Sequence, residues 1–185
     1  MKRLFDLFLA TLCMVIFLIP LILIYISIKI NTKDNAFYWS DRVGKDNKIF
    51  KMPKFRTMVI DTPELATDKL KDPNQWLTPI GNFLRKSSLD ELPQIFCVFA
   101  GKMSFVGPRP ALFNQYELIE MRTKKGIHRL LPGITGLAQI NGRDELNLID
   151  KVEYDNFYLL KKSVLLDIKI LFKTISKVIS ADGVR

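Results

Sequence analysis

Histidine and cysteine are nearly absent from this chain of 185 residues. His128 is the single histidine, and Cys13 and Cys97 are the two cysteines. One histidine excludes a His-rich metal site and argues against a His-based catalytic triad. Two cysteines exclude a disulfide scaffold and a four-cysteine zinc site, and reduced thiols suit a cytosolic setting. There is no internal repeat, and nine glycines and nine prolines are ordinary counts. Hydrophobic residues at 48% and charged residues at 25% exclude a disordered or low-complexity chain. Past residue 30 there is no second long apolar run, which excludes a polytopic transporter or transferase. The length fits one domain, since domains run to roughly 100–200 residues.

What the chain does have is one long apolar segment. Leu7 to Ile28 carries no charge over 22 residues, enough to cross a hydrocarbon core of about 30 Å. It is long for a signal-peptide core, and no small-x-small cleavage site follows, so a retained membrane segment is expected. Pro20 lies near its middle and removes a helical hydrogen bond. Lys2 and Arg3 precede the run, and Lys29 and Lys33 follow it. Basic flanks favour the cytoplasmic side, and here both ends are basic. A hairpin bent at Pro20 puts both flanks on one side, whereas a spanning helix with a tolerated proline separates them. From the residues alone both topologies stay open.

The net charge is +9, and residues 31–185 keep +7 once Lys2, Arg3, Asp6 and Lys29 are set aside. That excess points to an anionic partner: nucleic acid, a phosphorylated small molecule or an anionic membrane surface. Val43–Val59 reads as a β-hairpin turning at Gly44-Lys45-Asp46-Asn47. Lys54 and Arg56, two apart, share a face of an extended strand. Thr78-Pro79 reads as a helix start running to Arg85, and Ala111–Lys125 as a helix stopped by Gly126. Near the end, Leu160, Val164, Leu165, Ile168, Leu171, Phe172, Ile175 and Ile179 recur at helical spacing. Lys161, Lys162, Lys169, Lys173 and Lys177 crowd the other surface. Such a basic amphipathic helix suits a membrane surface, and equally a core with a solvated lysine face.

Asp90-Glu91 sits where Pro93 implies the first turn of a helix. Adjacent carboxylates there usually complement the helix dipole. The same region of sequence also holds Arg85, Lys86, Arg109 and Arg143, with Gly107, Gly133, Gly136 and Gly142. Glycines let backbone N–H groups approach phosphate, and arginines bind it bidentately. Paired carboxylates beside phosphate match what Mg²⁺ takes. The residues therefore point to metal-assisted phosphoryl transfer.

Longer strings sharpen this. Phe50-Lys51, Lys54-Phe55-Arg56-Thr57-Met58, Leu84 to Gln94 (LRKSSLDELPQ), Gly101 to Pro110 (GKMSFVGPRP) and Pro132 to Arg143 (PGITGLAQINGR) occur in order. Together they resemble the bacterial sugar transferases of the monotopic phosphoglycosyl transferase family. Lys2-Arg3-x-x-Asp6 and the proline in the apolar segment resemble it too. Ile19 stands where members often carry serine before that proline, and the chain resembles the minimal catalytic-domain type.

The resemblance implies an α+β fold. A re-entrant membrane helix hairpin (1–30), broken at Pro20, would precede a small, mostly helical cytoplasmic domain (31–185). That domain would carry a β-hairpin and surface amphipathic helices, the last of them on the membrane. The implied enzyme moves sugar-1-phosphate from a UDP-sugar to undecaprenyl phosphate at the cytoplasmic face of the bacterial inner membrane. UMP leaves, and glycan assembly begins. Asp90 would be the nucleophile carrying a covalent phosphosugar, and Glu91 would join it in holding Mg²⁺. Lys54, Arg56, Arg85, Arg109 and Arg143 would bind phosphate or nucleotide. Partners would be both substrates, inner-membrane lipids, a further copy of the chain or downstream glycosyltransferases, and no nucleic acid. Alternatives are direct displacement in a ternary complex, an inactive membrane scaffold for glycan enzymes, and a membrane-tethered nucleic-acid binder, for which no motif is present.

Overall fold

An uncharged stretch of this length favours a helix, which pairs its interior backbone polar groups within the segment. The computed structural model describes residues 1–32, 35–60, 62, 72–142 and 145–179. In it, the apolar stretch lies inside one helix, α1 (Lys2–Thr32), which runs through Pro20. The limbs on either side of that proline thus meet with no loop between them. Among the described residues, α1 is the one helix long and apolar enough to cross a membrane. Lys33, expected as a basic flank, lies outside the described residues.

One seam of α1 packs on the rest of the chain and the other faces away. Asp6, Ala10, Leu21 and Ile28 are buried, and Cys13, Met14 and Ile24 pack partly against the same clusters. Apart from the neighbours Cys13 and Met14, these positions lie three, four or seven residues apart, as one helix face requires. Opposite them Leu4, Phe8, Val15, Ile19, Leu23 and Ile30 are 62–74% exposed. The first turn is fastened by polar contacts. Lys2 Nζ meets Asp167 Oδ2 at 2.7 Å, and Arg3 donates to the carbonyls of Val98 (2.6 Å) and Phe99 (2.9 Å). Asp6 accepts from Ser104 Oγ (3.0 Å) and Phe105 N (3.1 Å). The basic-acidic start of the sequence is therefore the clasp that holds the apolar helix to the domain.

The expected hairpin is present and begins earlier than Val43. Strands β1 (Phe37–Val43) and β2 (Ile49–Phe55) pair antiparallel, from Phe37 opposite Phe55 to Val43 opposite Ile49. Asp46 and Asn47 take φ of 55° and 58° in the turn, a left-handed conformation that Asp and Asn tolerate. Pro53 is accommodated because a two-stranded ribbon has only edge strands. After residue 72, α2 (Gly81–Lys86) starts three residues later than Thr78, the expected cap. Thr78-Pro79 instead forms the turn before it, with Gly81 N donating to Thr78 O at 2.8 Å. A Cβ at Gly81 would lie 2.1 Å from Thr57 O, so only glycine lets this turn sit against the end of the hairpin.

A 3-10 turn, Leu89–Gln94, leads into α3 (Ile95–Phe99), and Asp90 and Glu91 do occupy its first turn. Strand β3 (Ser104–Val106) pairs in parallel with β4 (Gly133–Thr135). Between them α4 (Tyr116–Lys124) is shorter than the 111–125 helix expected. The first five positions of that stretch go instead to a bridge from Leu112 to Arg42 and a turn closed by Gln115 N on Leu112 O. Gly126 ends α4 at φ 76°, as expected of a glycine just past a helix. Short α5 (Leu137–Ile140) is followed by α6 (Leu148–Lys161) and α7 (Val164–Ile179). The amphipathic stretch expected as one helix is divided at Lys162-Ser163. Its buried positions on α7 are Asp167 and Ile170, while Leu165, Phe172 and Ile175 are 57–70% exposed beside Lys169 and Lys173. The exposed apolar stripe on α7 is therefore not the face that packs on the core.

Candidate active site

Side-chain direction along β2 decides what reaches the carboxylate pair. Lys54 shares a strand face with Phe50 and Met52, which are buried in the core. It is carried inward to Glu91 Oε1 at 2.7 Å and Asp90 Oδ2 at 3.9 Å. Arg56 would continue on that face, but β2 ends at Phe55. Arg56 turns instead to the chain before β1, its backbone N donating to Ala36 O and its Nε to Asn35 O. Among the described residues its side chain makes no hydrogen bond or ion pair with the dyad.

Arg109 reaches the same carboxylate from the opposite side, with Nη2 3.0 Å from Glu91 Oε1. Arg85, at the end of α2, rests a guanidinium nitrogen 3.6 Å from Met58 Sδ and acts electrostatically on Asp90. Arg143 lies outside the described residues. Arg42 was not anticipated. It is a largely buried strand residue held by Ser40 Oγ and Pro110 O, and it feels the charges of both Arg109 and Glu91. Burial first, and then Arg109, lower its pKa to about 10. Nothing in its sequence surroundings marks it, because its role depends on a bridge to Leu112 seventy positions on.

The glycines do different work from that expected. The Gly107 N–H donates to Thr135 O and the Gly133 N–H to Pro108 O, both at 2.9 Å. These amides are therefore not offered to phosphate. A Cβ on Gly133 would lie 2.2 Å from Gly107 N, and one on Gly136 2.2 Å from Gly107 O. The glycines let two backbone segments cross closely, which sets the loop that carries Arg109.

The two carboxylates are electrostatically unlike. Burial alone would raise Glu91, but Arg109 and Lys54 more than offset it and hold it well below the usual carboxylate range. Among the described residues the ion-pair contact of Asp90 is the long one from Lys54. Burial, with Glu91 alongside, pushes it up to about 6 against the pull of Lys54, Arg85 and Arg109. Two adjacent carboxyl groups with pKa values driven apart are a mark of divided chemical roles. Two acids among four cations leave an excess of positive charge, a setting that attracts an anionic, phosphate-bearing ligand.

The depression beside Arg109, lined also by Asn47, Arg122 and His128, offers ≈30 Å³. That suits a water or two near the buried His128 Nδ1 and falls far short of the roughly 300 Å³ or more of a ligand pocket. A groove of ≈620 Å³ on α6 is lined by Tyr154, Phe157 and Leu160, with Asp150 and Glu153. It includes neither dyad residue, and its acids are wrong for phosphate.

An acid pair ringed by cations, with Asp90 buried, in a domain that packs on a long apolar helix is a setting suited to a membrane-associated protein that handles anions. The chain belongs to the bacterial sugar transferase family, whose model matches residues 1–181. It is 42% identical over 188 residues to the UDP-glucose:undecaprenyl-phosphate glucose-1-phosphate transferase of Escherichia coli K12, covering 96% of this chain and 40% of that protein. It is 36% identical over 203 residues to the undecaprenyl-phosphate galactose phosphotransferase of Salmonella typhimurium, covering 99% and 41%. Similarity to the uncharacterized sugar transferase EpsL of Bacillus subtilis is 38% over 187 residues, covering 100% and 90%. The chain thus spans about two fifths of the first two relatives and nine tenths of the third.

Proposed function

We propose that the protein is a phosphoglycosyl transferase that moves sugar-1-phosphate from a UDP-sugar to undecaprenyl phosphate. The observation that carries this reading is the split dyad. Asp90 is the less engaged and more basic carboxylate, and Glu91 is locked by Lys54 and Arg109. In the first half-reaction a carboxylate oxygen of Asp90 attacks the β-phosphorus of the UDP-sugar. The bond from that phosphorus to the bridging oxygen breaks, and UMP departs with the electron pair. In the second, a phosphate oxygen of undecaprenyl phosphate attacks the same phosphorus, frees Asp90 and forms a lipid-diphosphate-sugar. Splitting one transfer into two steps is the gain from a covalent nucleophile. Arg109 and Arg42 hold the diphosphate, while Lys54 and Arg85 offset negative charge beside Asp90. Direct displacement in a ternary complex is the rival route.

Among the described residues no hydrogen bond ties up Asp90, and Glu91 is held through Oε1 alone. That leaves carboxylate oxygens for a hard cation, which takes one or two carboxylates and completes its shell with phosphate and water. The residues therefore fit Mg²⁺ held by Asp90 and Glu91, where it would neutralise charge developing on the phosphates. Chelation is expected to abolish UMP release and added Mg²⁺ to restore it. Full turnover in excess chelator would remove the metal from the mechanism.

A re-entrant α1 is part of this reading. The domain grips α1 near both ends, through Lys2, Arg3 and Asp6 and through Leu21 and Ile28. A helix crossing a core of about 30 Å would carry one end away from a domain on the other side. We place both ends on the cytoplasmic face, with the exposed apolar seam of α1 and the Leu165-Phe172-Ile175 stripe of α7 in lipid. A cysteine placed near residue 2 should resist a membrane-impermeant thiol reagent added from outside, and labelling there would mean a spanning helix. The direct test of function is UMP release by the detergent-solubilised protein from a panel of UDP-sugars plus undecaprenyl phosphate. Silence across the panel would overturn the reading.

A further inference from the structure

Arg109 has a side chain 44% exposed, so its aim at Glu91 is set less by packing than by the backbone that carries it. That backbone is held with unusual completeness. Four successive carbonyls each accept a hydrogen bond, from donors on three elements, β4, α4 and β1. Pro108 O accepts from Gly133 N (2.9 Å), and Arg109 O from Arg122 Nη1 (2.8 Å). Pro110 O accepts from Arg42 Nη1 (3.2 Å), and Ala111 O from Val43 N (2.9 Å). The two flanking prolines already limit φ. The donor that meets the arginine's own carbonyl comes from α4.

Arg122 is itself fixed. Its Nε and Nη2 both bind Asp155 Oδ2, at 2.9 and 2.7 Å. The Asp155 side chain is 2% exposed and that of Arg122 is 11% exposed. A guanidinium is a planar fork, so using two nitrogens on one carboxylate determines where the third points. Here the third points at Arg109 O. A chain of contacts therefore runs from α6 through Asp155 and Arg122 to the backbone of Arg109, and from its side chain to Glu91.

We propose that Arg122, oriented by Asp155, is a positioning residue that fixes Arg109 over the carboxylate dyad. This rests on the transferase reading given above. An ion pair needed only to join α4 to α6 has no use for a third contact, and hydrophobic residues of similar volume would join the two helices at least as well. What the pair adds is direction. Small displacements of a group that holds substrate are costly to rate, up to about a hundredfold for 1 Å.

The test is a double-mutant cycle on full-length protein, with kcat and KM read separately for the UDP-sugar and folding followed by Tm. Removing Arg122 alone would strand a buried carboxylate and threaten the fold. The variant of choice is therefore Arg122→Met/Asp155→Leu, which deletes both charges and leaves an apolar joint. It should melt close to the parent and lose about ten- to a hundredfold in kcat/KM. In an Arg109→Gln background the same pair of changes should alter kcat/KM by no more than a factor of about two, because the group being aimed is already gone. Equal losses in both backgrounds, or none in the parent, would overturn the proposal. Asp155→Asn keeps the shape with less risk to folding. It should show a smaller loss and the same disappearance of that loss when Arg109 is absent. Should the parent itself release no UMP from any UDP-sugar, the transferase reading fails instead, and that outcome is visible before any variant is made.

Discussion

Asp90→Asn is expected to abolish sugar-phosphate transfer, by about 10⁴-fold or more if it behaves as other covalent nucleophiles do. The loss by itself would not separate nucleophile from metal ligand, because an amide serves neither role well. The discriminating measurement omits the lipid acceptor. If Asp90 takes the phosphosugar, enzyme mixed with its UDP-sugar releases UMP in a burst of at most one equivalent and then stops. Mass spectrometry of the quenched protein then finds a phosphosugar adduct on the peptide containing Asp90, and none in Asp90→Asn. Slow hydrolysis of the aspartyl phosphate blurs the burst, so the adduct is the cleaner readout. Ping-pong kinetics should accompany it. A ternary-complex mechanism gives no UMP until undecaprenyl phosphate is added. An active enzyme with neither burst nor adduct would leave Asp90 as a metal ligand only. The geometry favours Asp90 over Glu91 for attack, since Glu91 Oε1 is engaged by two cations, whereas among the described residues the ion-pair contact of Asp90 is the 3.9 Å one with Lys54.

The same substitution should stabilise the protein. Asp90 has its pKa raised from 3.8 to about 6 on folding, with burial the largest cause. A carboxyl whose folded pKa lies above its unfolded value favours the folded state while protonated. That contribution is complete below pH 3.8, declines as pH rises, and is lost above about pH 6. At neutral pH the ionised Asp90 therefore costs the fold something on the order of 3 kcal/mol. Asn at this position has no charge to bury. In chelator, Asp90→Asn should melt several degrees above the parent at pH 8, given about 2–4 °C per kcal/mol at this size. The gap should narrow as pH falls from 6 towards 4. A variant that melts lower than the parent at pH 8 would show that Asp90 is a structural ion-pair member rather than a strained functional group. Stability given up for reactivity in this way is common at active sites.

Much of this protein is written locally. The uncharged run from Leu7 to Ile28 reads directly as a helix suited to lipid, because length and lack of charge suffice. Asp46 and Asn47 mark a turn because they tolerate positive φ, and Pro93 places Asp90 and Glu91 in the first turn of a helix. The ordered motifs from Phe50 to Arg143 point to the family, and the match over residues 1–181 agrees. Folding in space decided which cations serve the dyad. Lys54 and Arg56 look equivalent in sequence, yet β2 ends between them, and only Lys54 is carried to Glu91. Arg42 and Arg122 carry no local signal, because each acquires its role from a carbonyl in the Pro108–Ala111 loop, 68 positions away for Arg42 and 13 for Arg122. Gly107 and Gly133 reverse the expectation for the same reason: the first gives its N–H to Thr135 O in β4 and the second to Pro108 O in the loop after β3. Between Leu7 and Ile28 both faces of α1 are free of charge, and contact with the domain separates the packed seam from the exposed one. Backbone conformation depends on neighbours in sequence, but the direction and partner of a polar side chain depend on where distant segments cross.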